Sequence, residues 1–215
     1  AGGFPMTMVS HIMLSSIAKF SLLAIPFFIL AGVIMDYAGI SKRLINLAQA
    51  FVGHTKSGLV AVVVIVACFF AAISGSGPAT VAALGTILIP AMVKAGYDRS
   101  LSTALMSASG AIGIIIPPSI PMVIYGVSGQ QSISKMFMAG IIPGILIAIG
   151  LSVMHFFLCR NLKTEGLDWS MKTFIHSLRD GFWSILAPVI ILGGIYAGIF
   201  TPTEAAVVAI FYTIL

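Results

Sequence analysis

Apolar residues run through this chain in long uniform blocks, and the places where the blocks are interrupted carry most of the information. The first block extends from Phe20 to about Met35, with Pro26 as a tolerated kink. From Ile40 the pattern changes. Ile40, Leu44, Leu47 and Phe51 recur at helical spacing while Lys42, Arg43 and Asn46 fall on other faces, which predicts an amphipathic helix at a membrane interface. No charge then occurs between Lys56 and Lys94, and the middle of that stretch reads Ser74-Gly75-Ser76-Gly77-Pro78. The break leaves arms of about 15 apolar residues, roughly 22 Å each, short of a hydrocarbon core of ~30 Å. Two short helices meeting at such a tip predict a re-entrant hairpin over 57–93.

A second uncharged stretch, 100–134, is also broken midway, at Gly113 and at Pro117-Pro118-Ser119-Ile120-Pro121. Residues 136–159 make one uninterrupted span. Arg160, Lys163, Glu165, Asp168, Lys172, Arg179 and Asp180 crowd into the next segment, which reads as a polar connecting loop over 160–180. A further span runs from Gly181 to about Phe200. Thr201-Pro202-Thr203-Glu204 makes a turn, and a last apolar stretch reaches Leu215. Residues 1–18 are mixed, weakly helical and unlike a signal peptide. Opening on Ala1 and closing inside an apolar run, the chain reads as a piece of a longer protein.

Composition sharpens the class. The chain is 59% hydrophobic and 8% charged, with mean hydropathy +1.13, so the fold class is an all-α polytopic membrane protein whose first partner is the lipid bilayer. Strand alternation is absent, which argues against a β-barrel. The net charge of +5 comes from basic residues flanking spans, never from a dense patch, and points to topology rather than to nucleic acid. If 57–93 returns to its starting side, Lys42, Arg43, Lys56, Lys94, Arg99, Arg160, Lys163, Lys172 and Arg179 share one face, against Lys19 and Lys135 on the other. The positive-inside rule makes the first face cytoplasmic.

The two breaks are the candidate chemistry. Each proline removes an N–H and frees the carbonyl four residues earlier, so Pro117, Pro118 and Pro121 would free Gly113, Ile114 and Pro117. Such carbonyls are hard oxygen ligands of the kind that hold Na⁺ in broken-helix transporters. At the hairpin tip Gly75 and Gly77 permit close backbone approach, and Pro78 suits the first turn of the second arm. Carbonyls ending the first arm favour a cation, and amides starting the second favour an anion. Ser74, Ser76, Thr80 and Ser119 add hydroxyls without charge. A cation and a carboxylate could sit side by side, with Gly75, Gly77, Thr80 and Ser119 as the candidate substrate contacts. The plainer reading makes either break a kink or packing feature, since Gly and Pro are common in such helices.

Other residues point elsewhere. His11, His54, His155 and His176 show no ligand spacing, so no metal beyond sodium is expected. Glu204 behind Thr-Pro-Thr reads as an acid in a capped first turn. Trp169 and Trp183 read as interfacial anchors. Cys68 and Cys159, both in apolar runs, imply no disulfide framework. No nucleophile–base pair or phosphate loop occurs, so the chain is not expected to be an enzyme.

Six segments together resemble the large membrane (M) subunit of tripartite ATP-independent periplasmic (TRAP) transporters: LAIPFFILAGVIMD (23–36), GISKRL (39–44), AISGSGPATVAALG (72–85), IPAMVKAGYDR (89–99), GIIIPPSIPMVIYG (113–126) and GIFTPTEAA (198–206). The resemblance implies an elevator-type inverted-repeat carrier with a re-entrant hairpin and a discontinuous helix in each repeat. It implies a multi-pass protein of the bacterial inner membrane in which Na⁺, as coupling ion, drives uptake of an organic acid of the C4-dicarboxylate or sialic acid type. A periplasmic substrate-binding protein delivers the acid, and a small membrane subunit accompanies the large one. Carried over by position, one sodium site falls on Ser74, Ser76, Gly113, Ile116 and Pro118.

On this reading residues 1–56 hold a scaffold span and an interfacial arm helix, and 57–134 hold the transport-domain hairpin and broken helix. Residues 135–180 give a span and inter-repeat loop, and 181–215 begin a truncated second repeat. The second hairpin and second sodium site would lie beyond Leu215. The nearest alternative is an elevator-type sodium/carboxylate symporter working without a binding protein. A channel using the broken helices as a filter, or an intramembrane enzyme, would be a different class.

Overall fold

The computed structural model describes residues 5–53, 58–159 and 170–214. His54, Lys56, Arg160, Lys163 and Trp169, and the expectations attached to them, lie outside the described residues. Every regular element among the described residues is helical. The helices are α1 (Met6–Ile17), α2 (Ala24–Tyr37, entered through a 3₁₀ turn at Phe20–Leu23), α3 (Ile40–Val52), α4 (Gly58–Ser74) and α5 (Gly77–Lys94). They continue with α6 (Arg99–Ile115), α7 (Ile120–Ser128), α8 (Ile133–Cys159), α9 (Met171–Tyr196) and α10 (Pro202–Ile214). Five segments are long and apolar enough to cross a membrane: Phe20–Tyr37, Gly77–Lys94, Arg99–Ser128, Ile133–Cys159 and Met171–Tyr196. This is an integral membrane protein.

Helix boundaries follow local chemistry. Asp98 caps α6 by accepting from the Leu101 amide at 3.0 Å. The end of α5 is closed by a Schellman motif, with the Tyr97 amide on the Met92 carbonyl and the Gly96 amide on the Val93 carbonyl. Pro26 sits in the first turn of α2 behind the 3₁₀ entry, where a missing N–H is tolerated, so it starts a helix and does not kink a span. Thr201 and Glu204 form a capping box at α10. The Glu204 carboxylate accepts from the Thr201 amide at 2.8 Å, and the Glu204 amide reaches back to Thr201 Oγ1 at 3.3 Å.

Two expectations change in detail. The arms α4 and α5 have 17 and 18 residues, about 26 and 27 Å, longer than the uncharged counts suggested because each reaches its tip with helical geometry. The polar connector is helical from Met171 onward. There Phe174, Ser177 and Gly181 turn inward at helical spacing while Lys172, Arg179 and Asp180 stay exposed.

The architecture places the two breaks at its centre. Both arms, α4 and α5, lie against α6, and α8 packs on the far side against α4, α6 and α7. α2 packs along α10 and touches α4 and α7, while α3 lies across α4 and α9. Leu44, Ile45 and Ala48 of α3 are buried, whereas Phe51 is 63% exposed. The face of α3 that packs is thus rotated toward Ile45 and Ala48 from the expected stripe.

Candidate functional site

The hairpin tip and the broken helix meet. Gly75 joins α4 to Ser76, the N-cap of α5, with φ of +62°. A left-handed residue is needed there, and a side chain would collide with backbone: a Cβ on Gly75 would sit 2.8 Å from the Pro118 carbonyl oxygen. The Gly75 carbonyl accepts from the Ile120 amide at 3.0 Å. That amide opens α7, so the tip of the hairpin caps the second half of the broken helix. One turn away the contact continues through glycines. A Cβ on Gly77 would lie 2.8 Å from the Gly110 carbonyl oxygen, and one on Gly113 would lie 3.4 Å from the Gly77 amide nitrogen. Small residues at these positions let α5 and α6 approach backbone to backbone.

Hydroxyls fill the space the glycines leave. Ser74 is 4% exposed and Thr80 is fully buried, with Ser74 Oγ and Thr80 Oγ1 3.2 Å apart. Thr80 Oγ1 donates to the Ser76 carbonyl at 2.8 Å. Ser76 Oγ accepts from the Ala79 amide at 3.4 Å and closes the α5 N-terminus. Across the break, Ser119 is buried and donates to the Ile114 carbonyl at 2.6 Å, while its oxygen accepts from the Met122 amide at 3.5 Å.

Of the nine candidate positions, the structure gathers Ser74, Gly75, Ser76, Gly77, Thr80, Gly113, Pro118 and Ser119 around this junction. Ile116 is placed differently: its side chain packs toward Gly144 of α8. The freed-carbonyl expectation is met unevenly. Pro117 removes the amide that would have reached Gly113. The Ile114 carbonyl, freed by Pro118, is taken by Ser119 Oγ. Pro121 frees nothing, because it lies in the first turn of α7 and Pro117 precedes the Ser119 cap. The helix-start amides expected to face an anion are partly engaged in this conformation: Ile120 by Gly75, Met122 by Ser119 and Ala79 by Ser76.

A cleft of about 500 Å³ opens on the tip between α2, α4 and α5, and reaches Ser74, Ser76 and Ile120. Its α2 wall brings in residues that sequence reasoning missed as site components. Gly32 abuts Ser74, where a Cβ would meet the serine Cα at 3.2 Å. One turn further, Asp36 lines the cleft and accepts from Ser41 Oγ at 2.6 Å. Gly32 lies within the span read from Phe20 to about Met35 and Asp36 just beyond it; a lone acid at the end of that span is the available signal. Away from the cleft, the Lys19 ammonium donates to the Val127 carbonyl at 2.9 Å, capping the C-terminal end of α7.

Comparison with known proteins decides the family. The family model described as "Tripartite ATP-independent periplasmic transporter, DctM component" matches residues 1–215. The chain belongs to this family. It is 50% identical over 99% of its length to an isethionate TRAP transporter permease protein, DctMQ, of Oleidesulfovibrio alaskensis, covering 34% of that protein. Similarity extends to a C4-dicarboxylate TRAP transporter large permease protein, DctM, of Pseudomonas aeruginosa, at 45% identity over 90% of this chain and 46% of the relative. A sialic acid TRAP transporter permease protein, SiaT, of Haemophilus influenzae is 41% identical over 93% of this chain and 33% of its own length. The chain thus spans a third to a half of the curated relatives it matches. All three are transporter permeases, and the hairpin and broken helix described above are part of a TRAP transporter membrane component.

Proposed function

We propose that this chain forms part of the membrane carrier in a sodium-driven TRAP system, one that takes a small organic acid from a periplasmic binding protein across the bacterial inner membrane. The observation that carries the reading is the Ile120 amide to Gly75 carbonyl bond at 3.0 Å, which joins the hairpin tip to the broken helix and supports reading them as one site. The donors around it fit Na⁺: they are uncharged oxygens, with Ser74, Ser76 and the backbone of Gly113, Ile116 and Pro118 as the proposed cation ligands. Binding there would order the tip, and Gly75, Gly77, Thr80 and Ser119 would contribute to the neighbouring anion site. The engaged amides of α5 and α7 fit a tip that must loosen before an anion reaches them.

The named cargoes of the relatives are a sulfonate, dicarboxylates and a sialic acid, which have a small anion in common. That supports an organic acid as the substrate class and transport, not catalysis, as the activity. A small membrane subunit is the proposed second partner, and the DctMQ relative's name fits a fused arrangement in some members. The test is uptake of a radiolabelled organic acid into proteoliposomes holding the full-length large and small subunits, with and without a Na⁺ gradient and the binding protein. Uptake requiring both, and lost in Ser74→Ala, is the expected result. Uptake without the binding protein would favour a direct carrier, and indifference to Na⁺ would remove the proposed role of the two breaks.

A further inference from the structure

A second cleft, of about 510 Å³, lies away from the tip between the start of α3, the middle of α9 and the end of α10. Tyr212 Oη donates to the Trp183 carbonyl at 2.7 Å, tying α10 to α9 and fixing one wall. Three features inside it favour negative charge. Arg43 lines the cleft and is exposed; among the described residues the only ion pair is His176–Asp180, so no described carboxylate neutralises the guanidinium. The α3 N-terminus borders the same space through Ile40, and no side chain hydrogen-bonds its amides; the positive end of this 13-residue helix therefore adds to the site, with the Asp36 carboxylate beside it held by Ser41 Oγ at 2.6 Å. Ser184 is 1% exposed, its hydroxyl has no hydrogen-bond partner, and it lines the cleft too.

We infer that this cleft binds an anionic phosphate group, presented by a membrane phospholipid or arriving as free phosphate. Arg43 supplies a planar fork matched to two phosphate oxygens, the α3 amides supply further donors, and the Ser184 hydroxyl gains the partner it lacks. The surroundings favour the lipid. Trp183 and Tyr212 are residues of the headgroup level, and basic pockets between membrane helices take anionic headgroups. The inference is independent of the sodium reading, since none of these residues touches the hairpin tip.

The test uses the full-length large and small subunits, delipidated in detergent and titrated with phosphatidylglycerol, phosphatidylcholine or inorganic phosphate, with binding read by native mass spectrometry. One phosphatidylglycerol should bind in preference to phosphatidylcholine. Arg43→Gln should weaken that binding about tenfold or more, as for loss of a charge-assisted hydrogen-bond pair, and Ser184→Ala by about two- to tenfold. Arg43→Lys, which keeps the charge and loses the fork, should fall between them, and an unchanged thermal midpoint shows each variant folded. Free phosphate that binds alone and displaces the lipid, with the same Arg43 dependence, supports the site with a soluble source. Equal retention of both lipids with no phosphate bound, or a preference untouched by Arg43→Gln, overturns the inference.

Discussion

Replacing Gly75 by alanine tests whether the tip is held on the broken helix by geometry that only glycine permits. Gly198 provides the control, because its φ of +71° is close to the +62° of Gly75 and a Cβ there meets nothing within 4 Å. Gly198→Ala therefore isolates the left-handed backbone cost, about 1–2 kcal/mol, reduced by about 0.4–1 kcal/mol through the stiffer unfolded chain. Gly75→Ala carries the same cost and adds a Cβ 2.8 Å from the Pro118 carbonyl oxygen. That neighbour is backbone, so no rotamer can relieve the contact. The tip must move, and the Ile120 amide loses the Gly75 carbonyl; Ile120 is half-buried and lines the cleft, so the net cost is that of one hydrogen bond, about 0.5–1.5 kcal/mol. Gly75→Ala should thus be less stable than Gly198→Ala by at least about 0.5–1.5 kcal/mol. The thermal midpoints of the full-length transporter in detergent read the difference, and repeating the scan with and without Na⁺ tests the proposed cation site. Equal midpoints for the two variants, with the Na⁺ response of Gly75→Ala intact, would refute the reasoning.

Three further substitutions probe the same junction and its supports. Gly110→Ala drives a Cβ into Val81 Cγ2, so it should lower the thermal midpoint markedly, and adding Val81→Ala should restore most of the loss in a double-mutant cycle. Ser119→Ala removes the cap on Met122 and leaves the Ile114 carbonyl unpaired, a loss of about 1–3 kcal/mol that Ser119→Thr should largely spare. Lys19→Met removes the ammonium from the Val127 carbonyl and should cost about 0.3–1 kcal/mol. Hydrogen exchange should then quicken in the last turn of α7 ahead of the rest of the molecule.

Legibility in the sequence followed the range of the interaction. Both breaks and the serines that cap the helices after them were readable, because a Gly/Pro interruption in an uncharged run and a Ser at an N-cap act within a few residues. The meeting of tip and break was an expectation carried by family resemblance, and the structure places it in the Gly75–Ile120 hydrogen bond. No local signal reveals a contact across 45 positions. The start of α9 was misread for a different reason. Charge density over 160–180 suggested a loop, yet Phe174, Ser177 and Gly181 keep helical spacing toward α3, where Phe174 pairs with Phe51 at 6.0 Å and Gly181 meets Leu47. Gly32 was invisible for the same reason as the tip contact: its role is the space it leaves for Ser74, which belongs to another helix.

The strength of the junction bears on what it can do. Tip and break are joined by one backbone hydrogen bond, two close glycine approaches and neutral hydroxyls, without a charge among them. A hydrogen bond of this kind has a net value of about 0.5–1.5 kcal/mol, so parting the tip from α7 costs little once the freed groups find water or substrate. A ligand that prefers one arrangement by ten- to a hundredfold shifts the balance by about 1.4–2.8 kcal/mol, which matches that scale. A buried ion pair at the same place would resist breakage by about 3–5 kcal/mol and would hold the tip against such a ligand. On the proposed reading, the absence of charge from both breaks would let a weakly held cation decide whether the α5 and α7 amides stay with their protein partners or turn to an anion.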